Sequence, residues 1–222
     1  FQTFFLTAIA FSIYFTSTVA STLAITGNVI LNNLVTGTGS NIGLPDVGNA
    51  SIGGTLTGIN NGSGANSQIL LANGGSSSLT VGGATNLTNS GAGTTKRTYI
   101  GNAGDITFNG DLTIVNNSTA TNSEVFLNFS PTSANAYNEN IILSNTNALS
   151  DGIFFGNNNG MGILNNNKTV TIGAGGFSAG TLQFRNFTQL SNTAQAITLT
   201  GLSTIFENYS STWNGDVTFI SP

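Results

Sequence analysis

The chain has 222 residues, of which only 5% are charged, with a net charge of −4 and neither Cys nor His. Those counts exclude disulfides, thiolate metal sites and Cys nucleophiles, and remove the commonest general base and transition-metal ligand. The four cations, Lys96, Arg97, Lys168 and Arg185, make no basic patch able to track a phosphate backbone, so nucleic acid is not an expected partner, and the acidic balance disfavours anionic membranes.

Asn, Thr, Gly and Ser dominate, yet 39% of residues are hydrophobic. Disorder needs low hydrophobicity and high net charge, so the chain is expected to fold, kept soluble by amides and hydroxyls. Its first twenty residues, FQTFFLTAIAFSIYFTSTVA, carry no charge. Three readings stand. The piece "STVA" offers small residues at a signal-peptide cleavage site, though no Lys/Arg region precedes it. The length is near the minimum for a transmembrane helix. Ile9, Phe11, Ile13, Phe15, Val19, Leu23 and Ile25 fall at alternating positions between mostly small or hydroxyl residues, as in a strand. The alternation favours the strand. Residues 1–25 are therefore expected to form one apolar strand serving assembly or capping, with Ile9, Phe11, Ile13, Phe15 and Val19 as its working face and no membrane insertion in the mature form.

Residues 26–104 show β-type composition without a clean repeat and are expected to be an irregular β region. Over 105–200 a period emerges. Triplets apolar at first and third positions run Leu112-Thr-Ile114, Ile141-Ile-Leu143, Val170-Thr-Ile172 and Ile197-Thr-Leu199, in steps of 29, 29 and 27. A second series, Val125-Phe-Leu127, Ile153-Phe-Phe155 and Leu182-Gln-Phe184, advances by 28 and 29. Asn109, Asn138 and Asn167 share a spacing of 29, as do Asn128, Asn157 and Asn186, and the pair Asn116 and Asn145. Such a period predicts an all-β chain folded as a parallel β-solenoid with coils of about 29 residues. Equivalent strands would stack, triplet ends would point inward, and the asparagines would form amide ladders at the corners. The alternative is an antiparallel β-sandwich with Asn-Gly hairpins. Residues 201–222, ending in TWNGDVTFISP, are expected to open a further coil or to cap the end.

Catalytic and metal sites find little support. The acids Asp46, Asp105, Asp111, Glu124, Glu139, Asp151, Glu207 and Asp216 include no adjacent pair, whereas glycoside hydrolysis needs two carboxyls at one bond. Asp111 stands one period before Asn140, a replacement that suits a turn role better than catalysis. Asp105 with Asp111 is the closest acidic pair and the candidate for calcium, though no calcium-loop motif surrounds it. The pieces GNNNG and GAGG lack the Lys-Ser/Thr ending of a phosphate loop and read as corners. No enzymatic activity and no cofactor are expected. Asn-x-Ser/Thr sequons occur at Asn49, Asn61, Asn86, Asn116, Asn117, Asn128, Asn167, Asn186 and Asn208, no more than chance gives in so Asn- and Thr-rich a chain. They are candidate glycosylation acceptors where the organism glycosylates. Phe108 and Tyr137, one period apart, are candidates for a sugar-binding stripe, although such residues more often pack between layers.

The run from TFNGDLTIVNN through YNENIILSNT, DGIFFGNNNG and KTVTIGAGGFSAGTLQFRNFTQLSNTAQAITLTG to STWNGDVTFISP resembles the Asn/Thr/Gly-rich repeat regions of very large secreted surface proteins of Bacteroidetes. It spans about residues 105–222, with GGFSAGTLQFRNFTQ its most specific part. The resemblance implies an adhesin-like cell-surface protein exported by type 9 secretion, with further repeats beyond residue 222 and no catalytic residues to carry over. Three functions follow as expectations. The first is a structural extracellular stalk or filament segment, partnered by itself or by neighbouring repeats. The second is a pilus-like subunit that polymerises by donating its N-terminal strand. The third is a β-helix module that binds surface glycans.

Overall fold

The computed structural model describes residues 2–8, 12–15, 22–146 and 151–222. These residues contain strands and no helix. Seven coils of three strands follow one another: β1 (Thr3–Ala8), β2 (Ile13–Tyr14), β3 (Thr22–Ile25); β4 (Asn28–Asn33), β5 (Asn41–Leu44), β6 (Asn49–Ile52); β7 (Leu56–Asn60), β8 (Ser67–Leu71), β9 (Ser78–Val81); β10 (Thr85–Asn89), β11 (Thr95–Ile100), β12 (Asp105–Phe108); β13 (Leu112–Asn116), β14 (Asn122–Leu127), β15 (Ala134–Tyr137); β16 (Ile141–Asn145), β17 (Gly152–Phe155), β18 (Met161–Leu164); and β19 (Val170–Phe177), β20 (Ala179–Arg185), β21 (Phe187–Gln189). An eighth, shorter turn carries β22 (Gln195–Thr198) and β23 (Ser203–Tyr209), and β24 (Val217–Ile220) begins the next.

Every third strand joins the same sheet. Sheet 1 runs β1-β4-β7-β10-β13-β16-β19, sheet 2 β2-β5-β8-β11-β14-β17-β20-β23, and sheet 3 β3-β6-β9-β12-β15-β18-β21, with β22 and β24 making a small fourth sheet. All described pairings are parallel, as the solenoid reading requires and a hairpin sandwich forbids. The triplets stack as expected: Leu112 on Ile141 on Val170, and Val125 on Ile153 on Leu182. Ile197 leaves that series; its ladder partner is Phe219, in the small sheet. Within the closing TWNGDVTFISP, β24 stacks on β22, 22 residues on by the Gln195–Val217 pairing.

Two expectations need correcting. Residues 26–104 are not irregular, since β4 to β11 hold the same three sheets. Their signature is faint for a physical reason. Gly58 and the buried Thr85 and Thr98 take inward positions where later coils carry aliphatic residues, so the apolar triplet is broken. The coil length also alternates, with equivalent residues 27 apart at one step and 29 at another. Residues 1–25 are not one long strand either. They supply β1, β2 and β3, one per sheet, each paired with the next coil. Ile13 and Phe15 pack against the core, whereas Ile9, Phe11 and Val19 lie outside the described residues.

One continuous core fills the rod, from Val29 and Leu31 to Phe187 and Ile197. Backbone geometry at the corner between sheets 2 and 3 repeats with the coils. Ala72 (φ 50°), Gly101 (67°), Asn128 (54°), Gly156 (67°), Asn186 (49°) and Ser210 (51°) all adopt the left-handed conformation there. Asn and Gly tolerate it best. Gly152 is more constrained: at φ 138° a Cβ would lie 2.0 Å from Thr181 O in the following coil. Gly152→Ala is expected to cost more than about 1 kcal/mol, read as a lowered urea midpoint at unchanged slope.

Candidate functional site

The dominant polar feature is internal. Asn33, Asn60, Asn89, Asn116 and Asn145 end the sheet 1 strands of successive coils and stack in register. All five are buried. A buried amide is costly unless satisfied, and these reach across the turn to sheet 2. Within a coil, the side-chain nitrogens of Asn33, Asn60 and Asn116 donate to the carbonyls of Ser40, Ser67 and Ser123, seven residues on, at 3.2, 2.9 and 3.0 Å. Across coils, Asn33, Asn60, Asn89 and Asn145 donate to the carbonyls of Gln68, Arg97, Glu124 and Ala179. Three of the oxygens accept from hydroxyls, Ser40 Oγ on Asn33 at 3.3 Å, Thr98 Oγ1 on Asn89 at 2.8 Å and Ser123 Oγ on Asn116, whereas Asn60 Oδ1 and Asn145 Oδ1 are buried without a partner among the described residues. The ladder therefore clamps strand ends to the next strand and to the next coil. Sequence reasoning found only its last two members. Asn33, Asn60 and Asn89 carry the signal in steps of 27, 29 and 27, which a strict 29-residue period hides.

The other expected ladders are partly rearranged. Asn138 Nδ2 donates to Asn109 Oδ1 at 2.7 Å. The next rung is Asn165 rather than Asn167, with Asn165 Nδ2 donating to Asn138 Oδ1 at 3.2 Å, because that step spans 27 residues. Asn167 sits beyond it at φ 60°, its N–H donating to Ser191 Oγ at 2.9 Å. Asn128, Asn157 and Asn186 form no amide ladder. Asn128 Oδ1 accepts the Tyr137 hydroxyl at 2.7 Å, the Asn157 carbonyl accepts Arg185 Nη1 at 3.1 Å, and Asn186 Nδ2 donates to Asn159 O. The left-handed corner residue between Asn128 and Asn186 is Gly156, so Asn157 is out of phase.

The acids act as corner acceptors. Asp111 Oδ1 accepts from Asn140 N and Nδ2 at 3.0 and 3.1 Å, and Asn140 Oδ1 passes the role on by accepting from Thr169 N and Oγ1. Asp105 Oδ1 accepts Ala134 N at 2.8 Å, and Asp46 Oδ1 accepts Asn73 Nδ2 at 2.6 Å. Among the described residues no group of three or more His, Cys, Asp or Glu is placed to hold a metal. Arg97 pairs with Glu124, and Lys168 with Glu139 at 2.5 Å, each between adjacent coils.

Lys96 is the exception among the charges. It is wholly buried, stacked between Ser67 and Ser123, and its Nζ donates to Gly64 O and to Ser67 Oγ at 2.8 Å. Burial pushes its pKa below the ordinary 10.5. Between that lowered value and 10.5 the unfolded chain binds a proton that the native one has lost, so stability rises with pH in this window. Tyr99 and Tyr137, whose pKa values burial raises from 10.0, act oppositely above about that pH. Urea midpoints are therefore expected to climb as pH approaches 10 and fall beyond it. Lys96→Met should flatten the climb; equal climbs in both proteins would rule Lys96 out as its source.

Two aromatic columns bear on glycan binding. Phe108 and Tyr137 stack at 5.7 Å and 7°, but both are buried in the core, so they offer no face to a glycan. The outward column on sheet 2 is Tyr99, Phe126 and Phe154, stacked at 5.1 and 5.4 Å, with Phe129 edge-on against the first two. Phe126 is thereby 5% exposed. Of the sequon asparagines, Asn49, Asn61, Asn86, Asn117, Asn167 and Asn208 are exposed and Asn186 half-buried. Asn116 and Asn128 are buried and hydrogen-bonded, which removes them as acceptors in the folded chain.

No family model, no curated protein and no solved structure matches the chain.

Proposed function

We propose that this chain is a structural, non-enzymatic extracellular protein, a segment of a cell-surface adhesin stalk or filament. The observation that carries the reading is the run of parallel ladders through seven coils, reinforced inside by the buried asparagine ladder. Such a rod gains stiffness from continuous backbone pairing and from contacts that each coil makes with its neighbours. The described polar groups are engaged mainly in joining coil to coil, and few charged side chains offer cleavage points to trypsin-like proteases. The resemblance of residues 105–222 to Bacteroidetes surface repeats supports the same location, with type 9 secretion as the export route.

The test is labelling of intact cells of the source organism with an antibody raised against the folded chain, before and after surface proteolysis. A surface signal that proteolysis releases as rod-shaped fragments in negative-stain images is the expected result. Labelling that requires permeabilised cells overturns the proposal.

A further inference from the structure

In an Asn-Gly pair the asparagine side chain closes most readily on its own backbone, because no Cβ on the next residue blocks the approach. The chain holds five such pairs: Asn61–Gly62, Asn73–Gly74, Asn109–Gly110, Asn159–Gly160 and Asn214–Gly215. Ring closure makes two demands on the fold. The backbone N–H of the glycine must be unengaged, and the side chain must be free to turn its carbonyl carbon onto that nitrogen. The rod meets both demands at two of the pairs and withholds at least one at the other three.

Asn73 is fixed on both sides. Its Nδ2 donates to Asp46 Oδ1 at 2.6 Å, its Oδ1 accepts Asn102 Nδ2 at 2.6 Å, and the Gly74 N–H donates to Asp46 O at 2.7 Å. Asn214 Nδ2 donates to Gln189 O at 2.7 Å, and the Gly215 N–H to Gln189 Oε1 at 3.3 Å. Asn109 is held at its oxygen, which accepts Asn138 Nδ2 at 2.7 Å. Asn61 and Asn159 differ. Both are exposed. Their main chains are anchored, Asn61 N donating to Asn33 O at 3.0 Å and Asn159 N to Gly156 O at 2.9 Å. Their side chains, and the N–H groups of Gly62 and Gly160, make no hydrogen bond to any of the described residues. Two or three bonds that must break before the ring closes slow it by about tenfold or more.

We infer that Asn61 and Asn159 are sites of spontaneous conversion to aspartyl and isoaspartyl residues in the folded rod. The Gly62 nitrogen gives up its proton and bonds to the side-chain carbonyl carbon of Asn61; the bond from that carbon to Nδ2 breaks, and ammonia leaves with the proton. Water then opens the five-membered imide. Cleavage at the side-chain carbonyl gives aspartate, and cleavage at the main-chain carbonyl gives isoaspartate. Gly160 acts on Asn159 in the same way. Each conversion adds one negative charge to a chain of net charge −4. The isoaspartyl product also inserts one carbon into the main chain. At Asn61 that carbon enters the corner joining β7 to β8, directly after Asn60, whose buried amide clamps Ser67 O across the same corner at 2.9 Å. Ageing at this position therefore acts on the internal ladder. Only water and the fold enter, so the reaction is the same at a cell surface or elsewhere.

The folded 222-residue chain is incubated at mildly alkaline pH, and peptide maps by mass spectrometry follow the replacement of NH2 by OH at each of the five asparagines. Labelling with an isoaspartyl methyltransferase separates the two products. Asn61 and Asn159 should convert about tenfold or more faster than Asn73 and Asn214, with Asn109 between them. In urea, where all five pairs share one unfolded environment, the rates should converge. Asn138→Ala removes the bond that holds Asn109 and should raise its rate severalfold while the other four stay as they are. Far-UV circular dichroism matching wild type checks that this variant is folded; if it is not, the wild-type comparison decides alone. Equal rates at all five in the folded chain, or a rate at either Asn61 or Asn159 no faster than at Asn73, overturns the inference. An Asn109 rate that folded Asn138→Ala leaves unmoved overturns it as well, since hydrogen bonding would then not be what sorts the five.

Discussion

Phe155→Ala is expected to lower the unfolding free energy by about 3–5 kcal/mol, the largest loss from truncating any apolar side chain in this rod. Phe155 is fully buried at the centre of an aromatic cluster. Its ring stacks on Phe184 at 4.6 Å and meets Phe187 and Tyr137 edge-on at 5.4 and 6.1 Å. The cluster spans three successive coils, with Phe155 in the middle one, and backbone ladders on all three sheets fix the coil separation. The walls therefore cannot collapse to fill the space a methyl leaves, which is the condition for the upper part of that range. Phe155→Leu, which keeps most of the volume, should cost less than about 1.5 kcal/mol. Urea unfolding followed at the β-sheet circular dichroism band measures both. Equal losses for Ala and Leu would mean that ring contacts rather than cavity volume set the energy.

The second large effect belongs to the internal asparagines. Asn89 donates to Glu124 O at 3.1 Å and accepts from Thr98 Oγ1 at 2.8 Å, and Asn60 Nδ2 lies 3.3 Å from its oxygen. Asn89→Ala leaves the carbonyl of half-buried Glu124 and the buried Thr98 hydroxyl without these partners, a loss of about 2–6 kcal/mol at roughly 1–3 per stranded group. Asn138→Ala is the comparison. That amide also bonds copies on either side, Asn109 and Asn165, but at a corner water reaches, and its removal should cost under about 1 kcal/mol. The same urea titrations check the contrast. Comparable losses at the two sites would show that the interior ladder is no more than a packing element.

Much of the architecture is written in the sequence because parallel stacking places like on like. Leu112, Ile141 and Val170 announce sheet 1, and Val125, Ile153 and Leu182 announce sheet 2, since in these coils the inward positions carry aliphatic side chains of similar volume. Sheet 3 is harder to read. One of its two inward columns passes through Leu79, Ile106, Asn135 and Gly162, where no common chemistry marks the register. Asn135 is tolerated there because its amide is spent on backbone, donating to Ile100 O and accepting Ile106 N. The alternation of 27- and 29-residue coils defeats a search at one period, which is why Asn165 rather than Asn167 completes a ladder and why Asn33, Asn60 and Asn89 escape notice. Aromatic direction is invisible for a different reason: Phe108 and Phe126 both lie in strands, and only the strand's phase decides which one faces the core.

The strand order has a mechanical corollary. Among the described residues each coil pairs with the one before and the one after, so the free energy of the rod is close to a sum of coil terms and nearest-neighbour interface terms. A pull applied along the chain would peel coils from an end in turn, each releasing about 90–100 Å of contour at ~3.4 Å per residue. The molecule would lengthen in increments under load and restack coil by coil when the load falls.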